Sequence, residues 1–279
     1  MRNAVVVFTK VPRAGDTKTR LTTERGGIFT REQARDFYEA CLLDVIDSCI
    51  VSQCADVYIC LNAGGNGDYF KQLMSKLPKP RFIKKIFTDK GGTFDQAMQY
   101  AFDYILRRGH KDRLADNVLL IGGDVIGLQP RVIKDSMSKL HALAGSSGGL
   151  SLASSTFGKG EHIGAAIVAS ADQEGGFNII GHTCTTPFSI AGIFYNQDYL
   201  TAMDVLVNKA CERKIPFGMV EMAPDIDIPA DLTGLIPGLR AMQISARYDD
   251  NVFPPLRTLF FLEKNGLCNS ALPFTFKTA

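Results

Sequence analysis

The sequence is poor in the residues that mark several protein classes. It contains no tryptophan, four histidines, and seven cysteines without a Cys-x-x-Cys pair. None of the histidines, His110, His141, His162 and His182, has a partner at metal-binding spacing. We therefore expect no zinc site and no disulfide framework, and we interpret the cysteines as free thiols in a reducing compartment.

Long apolar runs and an excess of charge of one sign are missing as well. No run approaches the roughly 20 residues that span a bilayer, and the first residues lack the apolar region and cleavage site of a signal peptide. Lysine and arginine number 31 against 29 aspartates and glutamates, which provides no general attraction to nucleic acid. We expect a cytoplasmic protein that neither spans a membrane nor binds nucleic acid.

The hydropathy pattern of the 279 residues predicts alternating strands and helices. Short apolar runs predict strands at 4–8, 57–61, 82–87, 118–121, 163–169, 177–181 and 216–222. Helical spacing predicts helices from Thr30 to about 49, and at 68–77, 94–106, 130–141, 198–211 and 256–262. This alternation is typical of a Rossmann-like three-layer α/β sandwich, an open, mostly parallel sheet with helices on both faces and ligands at the carboxyl ends of the strands.

The chain shows no clean linker between its two ends. Residues 144–161 are rich in glycine and serine, which predicts a mobile loop or lid. We expect one domain over residues 1–245, with an insertion near 143–162, and a C-terminal extension at 246–279 that packs on it.

The loop after the first strand, residues 9–21, concentrates positive charge. It carries Lys10, Arg13, Lys18 and Arg20 together with Gly15. Phosphates require cations and free backbone N–H groups, and a loop at the carboxyl end of a strand offers both. The loop lacks the Gly-Lys-Thr triplet of a Walker A motif. It predicts a phosphate site, with a plain basic surface loop as the alternative.

A second motif, Gly122-Gly123-Asp124, ends the buried strand at 118–121. A hard cation that bridges phosphates prefers oxygen ligands, and an aspartate at a strand end reaches it without burying an unpaired charge. The glycines allow a nucleotide to approach the backbone closely. The alternative is that Asp124 caps the helix that begins near Pro130.

Two further acidic segments are weaker signals. The first is Asp172-Gln173-Glu174-Gly175-Gly176, and the second is the turn Asp225-Ile226-Asp227. Their carboxylates are candidates to complete a metal site or to orient an acceptor hydroxyl. Asp227 is equally interpreted as an N-cap for a helix at Pro229.

Taken together, these motifs resemble the nucleotide-diphospho-sugar transferase superfamily of the GT-A fold, and most closely a small bacterial group of proposed glycosyltransferases. That group has a Lys-x-Pro-x-x-Gly-x-x-Lys-Thr-Arg-Leu loop, matched here by Lys10, Pro12, Gly15, Lys18, Thr19, Arg20 and Leu21. Its Gly-x-Asp strand end matches Gly122 and Asp124, and its Asp-Gly-Gly-Tyr turn resembles residues 174–177. Residues 225–232 are similar to the Asp-x-Asp-Thr-Pro-Glu-Asp-Leu segment shared with molybdopterin and phospholactate guanylyltransferases.

The sequence departs from this pattern on the acceptor side. Ile126 stands where the family has proline, and Ala169-Ser170 replaces its Gly-Pro. Asp172 and Glu174 compete for its acidic position. The resemblance spans roughly residues 4–240 and leaves the acceptor open.

The resemblance implies a transferase that binds a nucleotide-sugar through Mg²⁺ or Mn²⁺ and passes the glycosyl group to an unknown acceptor. The residues it implies for catalysis are Asp124, Glu174 and Asp227, with Asp124 and Asp227 on the metal, and for the donor Lys10, Gly15, Lys18, Thr19, Arg20, Gly122 and Gly123. One alternative is a guanylyltransferase-like nucleotidyltransferase that uses a nucleoside triphosphate to activate a small phosphorylated metabolite. Another is a non-catalytic nucleotide-binding protein. The oligomeric state stays open, a homodimer included.

Overall fold

The computed structural model describes residues 1–107, 112–157 and 162–269. Within them the strands are β1 (Asn3–Thr9), β2 (Asp56–Leu61), β3 (Ile83–Thr88), β4 (Asn117–Gly122), β5 (Ile167–Ala171), β6 (Phe177–Thr183) and β7 (Phe217–Met219). The helices are α1 (Arg31–Ser52), α2 (Gly67–Met74), α3 (Phe94–Leu106), α4 (Pro130–Ala144), α5 (Ser147–Phe157), α6 (Ala202–Glu212), α7 (Pro229–Ser245) and α8 (Leu256–Lys264).

These strands form one sheet in the order β3-β2-β1-β4-β6-β5-β7. Strand β6 runs antiparallel to both β4 and β5, while the other pairings are parallel. The carboxyl ends of the parallel strands therefore lie at one edge of the sheet, and the β5–β6 turn lies there too. The predicted mostly parallel α/β sheet is confirmed.

Alternating side chains of β1 divide the core between the two faces of the sheet. Val5 and Val7 pack in one apolar cluster with α1, α2 and α4. Ala4 and Val6 pack in the other with α3 and α6. This alternation follows from the two-residue period of a strand, and it produces the three layers that the buried valines predict.

A third apolar cluster lies beside the sheet and supports the loop after β1. Leu21 and Phe29 pack there with Phe37 of α1, and α7 and α8 contribute further residues. Helix α8 is also tied to α1 because Asp44 accepts hydrogen bonds of 2.8 Å from both the backbone N–H and the hydroxyl of Thr258. The division at residue 245 stays a proposal; α8 itself packs on α1.

The prediction of a loop or lid over residues 144–161 is wrong for the part that the structure describes, where α5 begins at Ser147. The glycines serve close packing instead of flexibility. A Cβ on Gly149 would come within 2.7 Å of the carbonyl oxygens of Leu143 and Ala144, and one on Gly164 within 1.8 Å of the Ala144 oxygen. Only glycine allows the backbones of α4, α5 and the segment before β5 to approach this closely.

One further prediction needs correction. Strand β5 begins at Ile167, not at residue 163, because Ala165 donates its N–H to Gly149 of α5 and Ala166 donates to the Thr186 hydroxyl. A helix does begin at Pro229, as the N-cap interpretation of Asp227 anticipates, and α7 continues to Ser245 although Pro237 lies inside it.

All seven cysteines are free thiols. In the described ranges no helix combines the length and the apolar composition that a bilayer span requires. His110 falls outside the described residues. His141 contacts the amide side chains of Asn3 and Asn117, and His182 stacks on Phe102. Both of these histidines have structural roles.

Candidate functional site

A cavity of about 1000 Å³ opens at the edge where the parallel strands end. It is bounded by the loop after β1, the ends of β2, β3 and β4, the β5–β6 turn and the segment before α7. The residues predicted from the sequence that line it are Lys10, Lys18, Thr19, Arg20, Gly122, Asp124, Glu174 and Asp227. The cations after β1 and the carboxylate after β4 therefore face one cavity.

Lys18 and two aspartates form the centre of this site. The Lys18 ammonium lies 2.7 Å from Asp124 Oδ2 and 2.9 Å from Asp227 Oδ1, with only 5% of its side chain exposed. Arg20 adds a second cation, 3.2 Å from Asp227 Oδ2. Burial by itself lowers the pKa of Lys18, but the two carboxylates together raise that pKa well above its ordinary value. Lys18 is therefore a permanent positive charge between two carboxylates.

The loop conformation directs Lys18 into the cavity. Asp16 and Thr17 donate their backbone N–H groups to the Arg13 carbonyl, which forms a tight turn. Lys18 then adopts a left-handed conformation with φ 49°. Such a backbone is strained for a residue with a side chain, by about 1–3 kcal/mol. The ion pairs with Asp124 and Asp227 offset this strain.

Asp225 completes an acidic cluster with Asp124 and Asp227. One oxygen from each carboxylate lies within 4.8 Å of the others, the single grouping of this kind among the described residues. Burial, and next the neighbouring Asp124 carboxylate, raise the pKa of Asp225 to about 7. Convergent carboxylate oxygens fit a hard divalent cation such as Mg²⁺ or Mn²⁺. Lys18 supplies positive charge at the same place.

Neither Asp124 nor Asp227 serves as a helix N-cap. Gln129 occupies the N-cap position of α4, and Ile228 that of α7. The carboxylate of Asp231 accepts hydrogen bonds from the backbone N–H groups of Asp227 and Ile228, and so caps α7 from within. The Asp227 side chain is thereby free to turn toward Lys18.

Two glycines predicted to bind the donor have other positions. Gly15 does not line the cavity; its φ of 80° allows the turn before Lys18, and it lies beside Arg31. Gly123 is buried, and a Cβ there would come within 2.7 Å of the Thr9 hydroxyl. These two glycines build the site without lining it, whereas Gly122 borders the cavity.

Asp172 and Glu174, the two candidates for the acidic position of the family pattern, have different roles in the structure. Asp172 Oδ1 accepts hydrogen bonds from the backbone N–H groups of Glu174 and Gly176, at 2.8 and 2.7 Å, and so shapes the β5–β6 turn. The Glu174 carboxylate is exposed in the cavity and forms no side-chain hydrogen bond or ion pair with the part of the chain that the structure describes. It lies outside the cluster of Asp124 and its two partners.

Sequence reasoning missed other residues that line the cavity. The Tyr38 hydroxyl lies 2.7 Å from the Thr9 hydroxyl, and burial raises the pKa of Tyr38 above its ordinary value. Asn62, after β2, accepts a hydrogen bond from the Val11 N–H and so anchors the first loop. Asp89, after β3, also lines the cavity. A polar residue within two positions of the end of a predicted strand is the signal that identifies Asn62 and Asp89.

Comparison with known proteins places the fold and the family. A crystal structure from Desulfovibrio desulfuricans G20, described as a candidate nucleotide-diphospho-sugar transferase, superposes with a TM-score of 0.67 at 18% identity, covering 96% of this chain and 97% of that one. A cytidylyltransferase structure from Leptospira borgpetersenii has a TM-score of 0.49 at 11% identity, with coverage of 98% and 99%. The match with the Desulfovibrio structure shows that the chain has the same fold as that candidate nucleotide-diphospho-sugar transferase, and the resemblance inferred from the motifs is confirmed for the fold.

The family is defined by a sequence model that matches residues 45–197, more than half of the chain. The chain belongs to the family described as uncharacterized protein conserved in bacteria, DUF2064. No protein with a curated description matches the sequence at a significant level.

Proposed function

We propose that this protein is a metal-dependent transferase that binds a nucleotide-sugar and transfers its glycosyl group to an acceptor. The observation that carries the proposal is the contact of Lys18 with Asp124 and Asp227 inside one large cavity. Cations and carboxylates from distant parts of the chain meet at the edge where α/β proteins bind ligands. A buried charge cluster of this kind is costly to maintain for stability alone.

Asp124 and Asp227, joined by Asp225, are the residues that would hold Mg²⁺ or Mn²⁺. Bound there, the ion would act as a Lewis acid that stabilises the negative charge of the departing diphosphate. The fit rests on the convergence of the three carboxylates within 4.8 Å among the described residues.

The remaining residues bind and orient the substrates. Lys10, Lys18 and Arg20 supply positive charge to the diphosphate, and the backbone of the first loop at Thr19 adds polar contacts. Glu174 lines the same cavity with an exposed carboxylate, which suits it to accept a proton from an acceptor hydroxyl. Catalysis then consists chiefly of positioning and electrostatic stabilisation.

Calorimetry of nucleoside diphosphates in the presence of Mn²⁺ tests the proposal. Arg20→Ala and Asp124→Asn should each weaken binding by about 10-fold or more, because each removes a charged contact. Lys71→Ala is the control, since Lys71 pairs with Asp68 at the surface and does not line the cavity. Unchanged binding in both site variants would remove the assignment.

The products of turnover separate the alternatives. Release of free sugar or a glycosylated acceptor from a nucleotide-sugar supports glycosyl transfer. Release of pyrophosphate from a nucleoside triphosphate would instead assign a nucleotidyltransferase. Binding without turnover of a full donor panel would assign a non-catalytic nucleotide-binding protein. The free thiols suit a cytoplasmic location, which we include in the proposal.

A further inference from the structure

Asp89 is a nearly buried carboxylate that the transfer chemistry does not use. It follows β3 directly, lines the large cavity, and is 8% exposed. It forms no ion pair with any residue in the described ranges. A carboxylate that is removed from water without a cation requires hydrogen-bond donors.

Among the described residues, donors reach one oxygen of Asp89 and not the other. Asp89 Oδ1 accepts hydrogen bonds from the backbone N–H groups of Ala63 and Gly91, both at 2.8 Å. The second oxygen has no hydrogen-bond partner among residues 1–107, 112–157 and 162–269, and it is not sealed from solvent. The protein therefore presents one fixed carboxylate oxygen to the cavity as an acceptor.

Small residues line the cavity together with Asp89. They are Ala63, Gly91 and Gly92, which have little or no side chain. Gly91 and Gly92 have φ values of 72° and 95°, a conformation that favours glycine. This turn is what directs the Gly91 N–H to the carboxylate and fixes the orientation of Asp89.

The position of Asp89 in the sheet matches the far end of a nucleotide. β3 lies three strand spacings from β4, which carries Asp124 at its end, and this separation is about 14 Å. A diphosphate at Asp124 and Lys18 places the ribose next to it and the base farthest away. The free oxygen therefore faces the base in preference to the sugar.

We propose that Asp89 accepts hydrogen bonds from the base of the nucleotide and selects guanine, an inference that rests on the proposed function. Guanine alone among the four common bases presents two adjacent N–H donors, at N1 and at the 2-amino group, to a single acceptor. Cytosine and adenine place a ring-nitrogen acceptor beside their amino group, and uracil flanks its one N–H with two carbonyls. Each of these would bring a lone pair against the carboxylate.

Calorimetry of the wild-type protein with Mn²⁺ and a series of nucleoside diphosphates gives the first test. We expect guanosine diphosphate to bind about 10- to 100-fold more tightly than the adenosine, cytidine and uridine forms, because the others leave Asp89 without a donor. Inosine diphosphate, which lacks the 2-amino group, should bind between these limits. Equal affinity for all bases would overturn the inference and leave the proposed function standing.

The Asp89→Asn variant provides a second test, in which the affinity for one nucleotide should increase. The asparagine oxygen keeps its contacts with Ala63 and Gly91, while its amide group presents a donor to the cavity. We expect guanosine diphosphate to lose about 10- to 100-fold in affinity and xanthosine diphosphate, which carries a carbonyl in place of the 2-amino group, to gain a similar factor. A variant that fails to fold leaves the decision to the wild-type series.

The matched control is Asp16→Asn, which removes the same charge from an exposed carboxylate in the same cavity. It should change all affinities alike and leave the ratio between bases unchanged. If Asp89→Asn weakens all ribonucleotides equally but not their 2′-deoxy forms, Asp89 contacts the ribose and the inference is wrong. If no nucleotide binds the wild-type protein, the proposed function and this inference both fail.

Discussion

Replacement of Lys18 by methionine tests the charge cluster at the centre of the site. Methionine retains an unbranched apolar side chain but removes the ammonium, which lies 2.7 Å from Asp124 and 2.9 Å from Asp227. Loss of one partner from a buried ion pair costs about 3–5 kcal/mol. The side chains of Asp124 and Asp227 are 25% and 37% exposed, so water stabilises the carboxylates left behind. We therefore expect a loss of no more than about 3 kcal/mol in the free energy of unfolding without metal.

Divalent metal should reverse this loss. Without Lys18 the carboxylates keep only the exposed Arg20, which contacts Asp227, so Mn²⁺ binds without displacing a buried ammonium. Relief of a 3 kcal/mol penalty corresponds to about 100-fold tighter metal binding, since 1.4 kcal/mol is a factor of ten. The assay is calorimetric titration with Mn²⁺ in the absence of nucleotide, together with thermal unfolding with and without the ion.

Lys10→Met is the matched control, because Lys10 lines the same cavity, is exposed, and has no ion pair in the described part of the chain. It should change neither the stability nor the affinity for Mn²⁺ measurably. If Lys18→Met binds Mn²⁺ no more tightly than the wild type, ammonium and metal do not compete for the same carboxylates, and the reasoning is refuted.

Three further predictions concern stability and are tested by chemical denaturation. Gly123→Ala should cost about 1–3 kcal/mol by overpacking, because its Cβ would come within 2.7 Å of the Thr9 hydroxyl; an unchanged midpoint would contradict this. Asp44→Ala should lower the free energy of unfolding by about 3 kcal/mol, because the buried donors of Thr258 lose their acceptor. A decrease below about 1 kcal/mol would show that water replaces the carboxylate. Against the effect of burial, a backbone N–H and a guanidinium lower the pKa of Asp116 below its ordinary 3.8. The ionised Asp116 therefore contributes about 1 kcal/mol to the free energy of unfolding above that pH, and this contribution is lost below it. The wild type should be more stable than Asp116→Asn near neutral pH, and the difference should vanish on acidification. A difference that does not change with pH would show that packing, not charge, is responsible.

The sheet could be predicted from the sequence because its inner strands, β1, β2, β4, β5 and β6, are buried on both faces. Continuous apolar runs of four to six residues then have few other interpretations, and the bounds of α3 agree with the prediction at both ends. The capping box at Thr30 likewise marks the start of α1. Local chemistry determined these elements.

Helix α5 and the full length of α7 could not be predicted, because their stability does not come from their own sequences. α5 contains Gly149, which packs against backbone atoms of α4, and α7 contains Pro237. Glycine and proline are unfavourable inside an isolated helix. Tertiary contacts reverse this preference, and those contacts are visible only once the fold is known.

The part of the site that could be predicted comes from loops that follow neighbouring parallel strands. Lys18 and Asp124 follow two strands that prove to be neighbours, so their meeting follows from the parallel sheet. Asp225 was visible in an acidic turn, yet its place beside Asp124 depends on how the chain returns before α7. Tyr38 was hidden at a position with the spacing of a core residue in α1. A single sequence shows no difference between a buried tyrosine and one that borders a ligand.

The apolar cluster beside the sheet determines when the site can be completed during synthesis of the chain. The basic loop leaves the ribosome before α8 does, but Leu21 within the loop and Phe29 after it belong to the same apolar cluster as Leu259 and Leu262 of α8. Those partners are made only after more than 200 further residues have been added. A nascent chain can form most of its sheet early, yet the loop acquires its full apolar support only once α8 has emerged.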